Sequence, residues 1–318
     1  MAGYLVRRLI QAVVVLILVT GLVFFIIRML PGDPVVIYMT QQQMSNATPE
    51  QIAAVRHKFG LDRPAYIQYI TWVSGLLHGD LGESIAKRQP VTNILRNAVP
   101  KSLHLGILAF IISNIIAIPA GVMCAARRGK WIDTFLTVMA NIGITAPIFW
   151  VGILLIYTFS VWIHWLPSHG YTSSFTDFGL SIRQLVMPVF CLTLFPLAAT
   201  TRQTRSAMLE VIRQDYVRTA WSKGLRERVI ISRHALKNGL LPVVTLAGMS
   251  LSNIVGGEVL IETVFSIPGV GYTAVNALLN LDYAIVQGVV LVVAAIVVIS
   301  NLIVDISYGW LDPRIAYT

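Results

Sequence analysis

Six stretches of this sequence are long and apolar enough to cross a membrane, and that pattern leaves few folds open. They run from about Leu9 to Leu30, Leu103 to Ala126, Phe135 to Ile163, Leu185 to Thr201, Leu240 to Phe265, and Ala284 to Tyr308. A crossing helix needs roughly 20 mostly apolar residues. In hydrocarbon every backbone N–H and C=O must be bonded within the protein, so only helices and closed barrels can span. Barrel strands are alternating segments of about 10 residues, whereas these runs are longer and continuous. The expected fold is therefore an all-α membrane protein with six transmembrane helices. Composition agrees: only 12% of the 318 residues are charged, against about 25% in soluble domains. The two cysteines, Cys124 and Cys191, both lie in apolar runs and read as small buried side chains, not a disulfide framework.

The first run follows Arg7 and Arg8 and so resembles a signal peptide, but it is longer than a signal's 7–15-residue apolar core. It leads into Pro31-Gly32-Asp33-Pro34, not a small-residue cleavage site, and is read as an uncleaved first span. Basic residues then set the orientation, because short loops rich in Lys and Arg stay in the cytoplasm. Arg7 and Arg8, then Arg127, Arg128 and Lys130, then nine basic residues between Arg202 and Asn238 all fall on one side. The intervening short loops carry Arg183 alone or nothing. Both termini are therefore expected in the cytoplasm. The net charge of +9 is spread by topology and is not gathered on one folded face, so nucleic acid is not an expected partner.

Three parts are expected: residues 1–30 as tail and first span, 31–102 as an external cap, and 103–318 as a five-helix core. In the cap, Thr48-Pro49-Glu50-Gln51 reads as a helix start running to about Phe59 and stopping at Gly60. A second amphipathic segment, about Pro64 to Leu77, carries Tyr66, Tyr69 and Trp72 and suits a lipid interface. In the basic loop at about 202–239, Tyr216, Val217, Ala220, Trp221, Val229 and Ile230 recur at helical spacing around Gly224. They predict one apolar face on two short helices, to be laid on lipid or in a partner's groove.

That loop carries a resemblance. Asp215-Tyr216-Val217-Arg218-Thr219-Ala220-Trp221-Ser222-Lys223-Gly224-Leu225, then Arg233-His234-Ala235-Leu236-Lys237-Asn238 and Pro242, resembles the signature loop of bacterial ABC importer permeases of the dipeptide, oligopeptide and nickel branch. The general pattern is Glu-Ala-Ala, three residues, then Gly; here Arg218-Thr219-Ala220 fills the triplet, as in the peptide and nickel branch. Met29-Leu30-Pro31-Gly32-Asp33-Pro34, Ile261-Glu262-Thr263-Val264-Phe265 with Pro268-Gly269-Val270-Gly271, Asp282 to Gly288 (with Ala284 where proline is usual), and Leu311-Asp312-Pro313-Arg314 are similar to the same branch.

The resemblance implies a type I importer fold in the bacterial inner membrane, forming half of a pathway for short peptides, with nickel or another small solute as the alternative cargo. It implies a second homologous permease, two cytoplasmic ATPase subunits, an external solute-binding protein and surrounding lipid as partners. It also implies that Tyr216, Arg218, Thr219, Ala220, Trp221, Lys223, Gly224 and Arg226 couple this chain to an ATPase. No GxxxxGK[ST] loop or HExxH pair occurs, so no cofactor or metal is expected on this chain; ATP and Mg belong to the partner subunits. Glu258 and Glu262, four residues apart, together with Asn141, Thr145 and Asn253, are the polar candidates for a gate or pathway. A stand-alone secondary transporter is the competing class; it predicts internal repeats and a charged cluster at mid-membrane.

Overall fold

The computed structural model describes residues 2–29, 31–41, 48–252 and 259–311. In chain order the helices are α1 (Ala2–Met29), α2 (Pro34–Gln41), α3 (Pro49–Lys58), α4 (Ala65–Leu77), α5 (Val91–Ala126), α6 (Trp131–Thr145), α7 (Ile148–Leu155) and α8 (Phe178–Ile212). They continue as α9 (Asp215–Ser222), α10 (Glu227–Val229), α11 (Leu236–Gly239), α12 (Leu241–Ser252), α13 (Val259–Val264), α14 (Val270–Leu279) and α15 (Tyr283–Leu311). Among the described residues there is no strand, only an isolated antiparallel bridge between Glu83 and Pro90. Among the described residues four helices are long and apolar enough to cross a membrane, in α1, α5, α8 and α15, or five where the bent pair Trp131–Thr145 and Ile148–Trp162 counts as one span. The fifth expected run, Leu240 to Phe265, falls on α12 and α13; residues 253–258 between them lie outside the described residues.

The chain forms two compact units. One comprises residues 1–102 and 268–298. Here α1 ends before Pro31, which cannot continue a helix, and the cap begins. Thr48 caps α3 through a capping box, accepting from the Gln51 N–H while Gln51 Oε1 accepts from the Thr48 N–H at 3.0 Å. Gly60 follows in the left-handed region at φ +63. The α4 helix lies against α1, with Phe24 and Tyr69 edge to face at 5.1 Å. It leaves Tyr66, Ile70 and Leu77 exposed. Arg56 pairs with Asp33, joining α3 to the start of α2. The cap's foot is closed by Asp282, which is buried. Its carboxylate accepts from Ser84 Oγ at 2.6 Å, from the Ala86 N–H at 3.1 Å, and from the Ile285 N–H at 3.3 Å as the N-cap of α15.

The second unit comprises the described residues of 103–267 and 299–311. Its core packs Leu105, Met187, Cys191, Ile261, Phe265 and Ile267, all buried. The predicted third span is not one helix: α6 and α7 meet at 99° where Ala146 caps α6 in extended conformation before Pro147. Proline restricts its predecessor to extended backbone and lacks a donor, which fits the break. Pro188 and Pro196 stay inside α8, where membrane helices tolerate them. That helix starts on Asp177, whose Oδ1 accepts from the Leu180 N–H at 2.9 Å.

At its other end α8 runs eleven residues past the expected Thr201, to Ile212. The sequence 202–212 was expected to be loop because it is charged. Its inward side carries Thr204, Ala207 and Met208, all buried. Arg205 is not a loop charge: its Nε and Nη2 donate to the two carboxylate oxygens of Asp133 at 2.7 and 2.8 Å. Asp133 is buried and also accepts from the Gly129 N–H. The helices approach closely enough here that a Cβ on Gly121 of α5 would sit 2.6 Å from the Thr201 carbonyl of α8, a small-residue contact of the kind membrane helices use.

Candidate functional site

The basic hairpin is carried on the extended end of α8. Arg213 caps that helix, and Gln214, in extended conformation, starts α9 by accepting from the Val217 and Arg218 N–H groups at 3.0 and 3.2 Å. At the far end of α9 the Gly224 N–H donates to the Trp221 carbonyl at 2.9 Å, and the Leu225 N–H to the Ala220 carbonyl at 3.4 Å. With Gly224 at φ +73, this is the Schellman arrangement that ends helices on glycine. A Cβ placed on Gly224 would meet nothing within 4 Å. The glycine is therefore required by backbone conformation and not by crowding inside the chain. The chain reverses into α10, a π-helical segment Ile230–Ala235, and α11.

Two short helices flanking Gly224 are as the residue pattern predicts, but the single apolar face is not. Val217, Ala220 and Ile230 are buried together against Val211. Tyr216, Trp221, Leu225 and Val229 are exposed. The inner set fastens the hairpin to α8, and Ala235 with Met208 continues the seam. The outer set has no such role. Its apolar members alternate with Arg218, Lys223 and Arg226, all exposed, and with Thr219. Tyr216 is held in place: its hydroxyl accepts from Asn238 Nδ2 at 2.8 Å. Arg218 reaches Asp215 at 3.6 Å, an exposed pair that contributes little to stability. Of the eight residues expected to couple, Ala220 is buried in the seam and the other seven lie on the open side. An aromatic and apolar surface rimmed by cations is the composition of a protein-binding patch.

The polar candidates of the spans are dispersed. Asn141 and Thr145 are exposed on one face of α6, and Thr145 Oγ1 donates to the Asn141 carbonyl at 3.0 Å. Glu262 is buried in α13 beside the Ile261–Phe265–Ile267 cluster. Asn253 and Glu258 lie outside the described residues. The second unit holds a cavity of about 390 Å³, lined by apolar groups including Phe110, Ile144, Leu192 and Phe195 with Ser250. Asn141, Thr145 and Glu262 do not line it. Sequence reasoning missed the Asp133–Arg205 brace; the available signal was one acid, Asp133, in the first turn of an otherwise apolar helix.

Comparison with known proteins agrees with this architecture. Residues 117–317 match the family model described as binding-protein-dependent transport system inner membrane component. Residues 1–106 match the model of the N-terminal part of such membrane components. A putative peptide transport system permease protein of Brucella abortus is 39% identical over 318 residues, covering 100% of both chains. The oligopeptide transport system permease protein AppB of Bacillus subtilis is 38% identical over 320 residues, again covering 100% of both. The di/tripeptide transport system permease protein DppB of Pseudomonas aeruginosa is 37% identical over 337 residues, covering 100% of this chain and 99% of that one. Among solved structures, the MetNI methionine ABC transporter shares the fold with a TM-score of 0.55 at 17% identity, over 69% of this chain and 96% of that one. The chain belongs to the family of binding-protein-dependent transport system inner membrane components.

Proposed function

We propose that this chain is one of two permease subunits of an ATP-driven importer of short peptides. It crosses the membrane six times with both termini in the cytoplasm, carries the cap outside, and performs no covalent chemistry. A second homologous permease completes the pathway. Two ATPase subunits supply the work, with ATP and Mg bound on them, and an external solute-binding protein delivers the cargo. The peptide assignment is supported by the names of the three relatives above, aligned over essentially their whole length.

The observation that carries the coupling role is the division of the hairpin into two faces. Val217, Ala220 and Ile230 fix it to α8, while Trp221, Lys223 and Arg226 are exposed, as is Tyr216, which Asn238 holds through its hydroxyl. A device that transmits force needs both a firm root and an open contact surface. Motion of an ATPase against the outer face would move α8 as a lever, and the Asp133–Arg205 brace would pass the displacement to α6.

The test uses the reconstituted four-subunit complex with its binding protein. Trp221→Ala combined with Arg226→Glu is expected to insert normally, to lose co-purification of the ATPase at least tenfold, and to abolish ATP-dependent uptake of a labelled tripeptide. Normal co-purification and uptake by that variant would overturn the assignment.

A further inference from the structure

The first unit contains a second cavity, of about 320 Å³, whose chemistry is unlike that of the apolar one. At its wall stands Arg28, the one cation within the first apolar run. An arginine near a helix end ordinarily extends to the interface and into water. This one is folded back. Its guanidinium lies 3.4 Å from the centre of the Phe24 ring. Its Nε and Nη2 donate to Gln68 Oε1 at 3.2 and 2.8 Å, and its Nη1 to the Phe24 carbonyl at 3.0 Å. Three of its five N–H groups are thereby used, leaving one on each terminal nitrogen. Among the described residues no carboxylate pairs with it.

Two further donors at the same cavity are unsatisfied. Trp72 Nε1 and Gln287 Nε2 are both buried with no hydrogen-bond partner, and Gln287 as a whole is 4% exposed. A buried donor left unpaired is costly, and two such groups line the same cavity as Arg28; an acceptor that enters it is a remedy common to both. Lys58 and Arg63, both exposed, add positive charge at the rim. Two carboxylates also line the cavity, Asp80, which accepts from the Gly82 N–H at 2.8 Å, and Glu83; both are exposed, where solvent screens their charge. The helices beside the cavity present apolar side chains outward: α4 exposes Tyr66, Ile70 and Leu77, and α1 exposes Leu18, Leu22 and Phe25.

We infer that this cavity binds a phosphate group, held by Arg28 with Trp72 and Gln287 as neutral donors and Lys58 and Arg63 at the entrance. A phospholipid headgroup, its acyl chains along α1 and α4, or free inorganic phosphate could supply it. Only the leaflet from which a lipid enters rests on the topology proposed above; lipid retention and ATP-driven uptake are separate readouts, so either can fail alone.

The test is native mass spectrometry of the full chain, purified with and without its complex and titrated with dioleoyl phosphatidylglycerol, with dioleoylglycerol, and with inorganic phosphate. Retention of phosphatidylglycerol, little of dioleoylglycerol, and loss of about tenfold or more in Arg28→Met are expected. Gln287→Leu should lose severalfold. Millimolar phosphate that displaces the lipid identifies the free ion as a ligand; lipid retained against it identifies the headgroup. Should Arg28→Met unfold, the exposed pair Lys58→Gln with Arg63→Gln provides the reading, with severalfold weaker retention expected. Equal retention of dioleoylglycerol and phosphatidylglycerol, or undiminished binding in folded variants, would overturn the assignment.

Discussion

Three side chains concentrate the architecture's dependence on single groups. Asp282 is buried and satisfies a hydroxyl and two backbone N–H groups. Replacing it with alanine strands those donors and removes the α15 cap, so Asp282→Ala is expected to lower stability by about 2–4 kcal/mol. Thermal unfolding in detergent checks this, and Asp282→Asn should recover part of the loss. Asp133 and Arg205 meet through two parallel hydrogen bonds. Asp133→Ala should cost about 2–3 kcal/mol by leaving the guanidinium without its partner. A double-mutant cycle with Arg205→Met should show strong coupling, the double variant being less damaged than the sum of the singles. Gly224 is different in kind. Its φ of +73 penalises any L side chain, so Gly224→Ala is expected to cost about 1–2 kcal/mol and Gly224→Asn less. The surrounding space is empty, so a loss of uptake in Gly224→Trp far beyond that in Gly224→Ala reports a surface that another protein occupies. Uptake measured at equal membrane abundance separates the two.

At the level of elements, the chain's local signals succeed where one interaction decides the outcome. Thr48, Pro49 and Gln51 specify the start of α3, and the capping box forms as those residues demand. Thr48→Ala should cost about 1 kcal/mol, read as faster amide exchange over α3 with uptake unchanged. Signals fail where long-range packing decides. Nothing local distinguishes Pro147, which ends a helix, from Pro188 and Pro196, which α8 absorbs. Charge density made 202–212 look like loop, yet Asp133, seventy-two residues away, turns Arg205 into a helix contact. The hairpin's helical period was legible, but its apolar residues divide between an inner seam and an open side. A periodicity argument assigns one face because it has no knowledge of the second surface. The buried, orphaned donors at Trp72 and Gln287 are likewise invisible in the sequence, since each looks like an ordinary member of its helix.

For the whole molecule, a multi-pass inner-membrane protein, the orientation drawn from basic loops has a direct check. Both native cysteines are buried, so single cysteines introduced on the surface can be labelled against a quiet background. Lys223→Cys is expected to react with a membrane-impermeant maleimide only after the cells are opened, and Lys58→Cys in cells left intact. The reverse pattern would invert the topology. The Asp282 contact has a further consequence, for biogenesis. Ser84 and Asp282 are 198 residues apart, so the segment around Ser84 leaves the ribosome long before the group that latches it exists. At ordinary translation speeds that gap is about 10–40 s. Through that interval the segment stays half-assembled, open to proteases and chaperones, and the closing act of maturation belongs to α15, the last helix made.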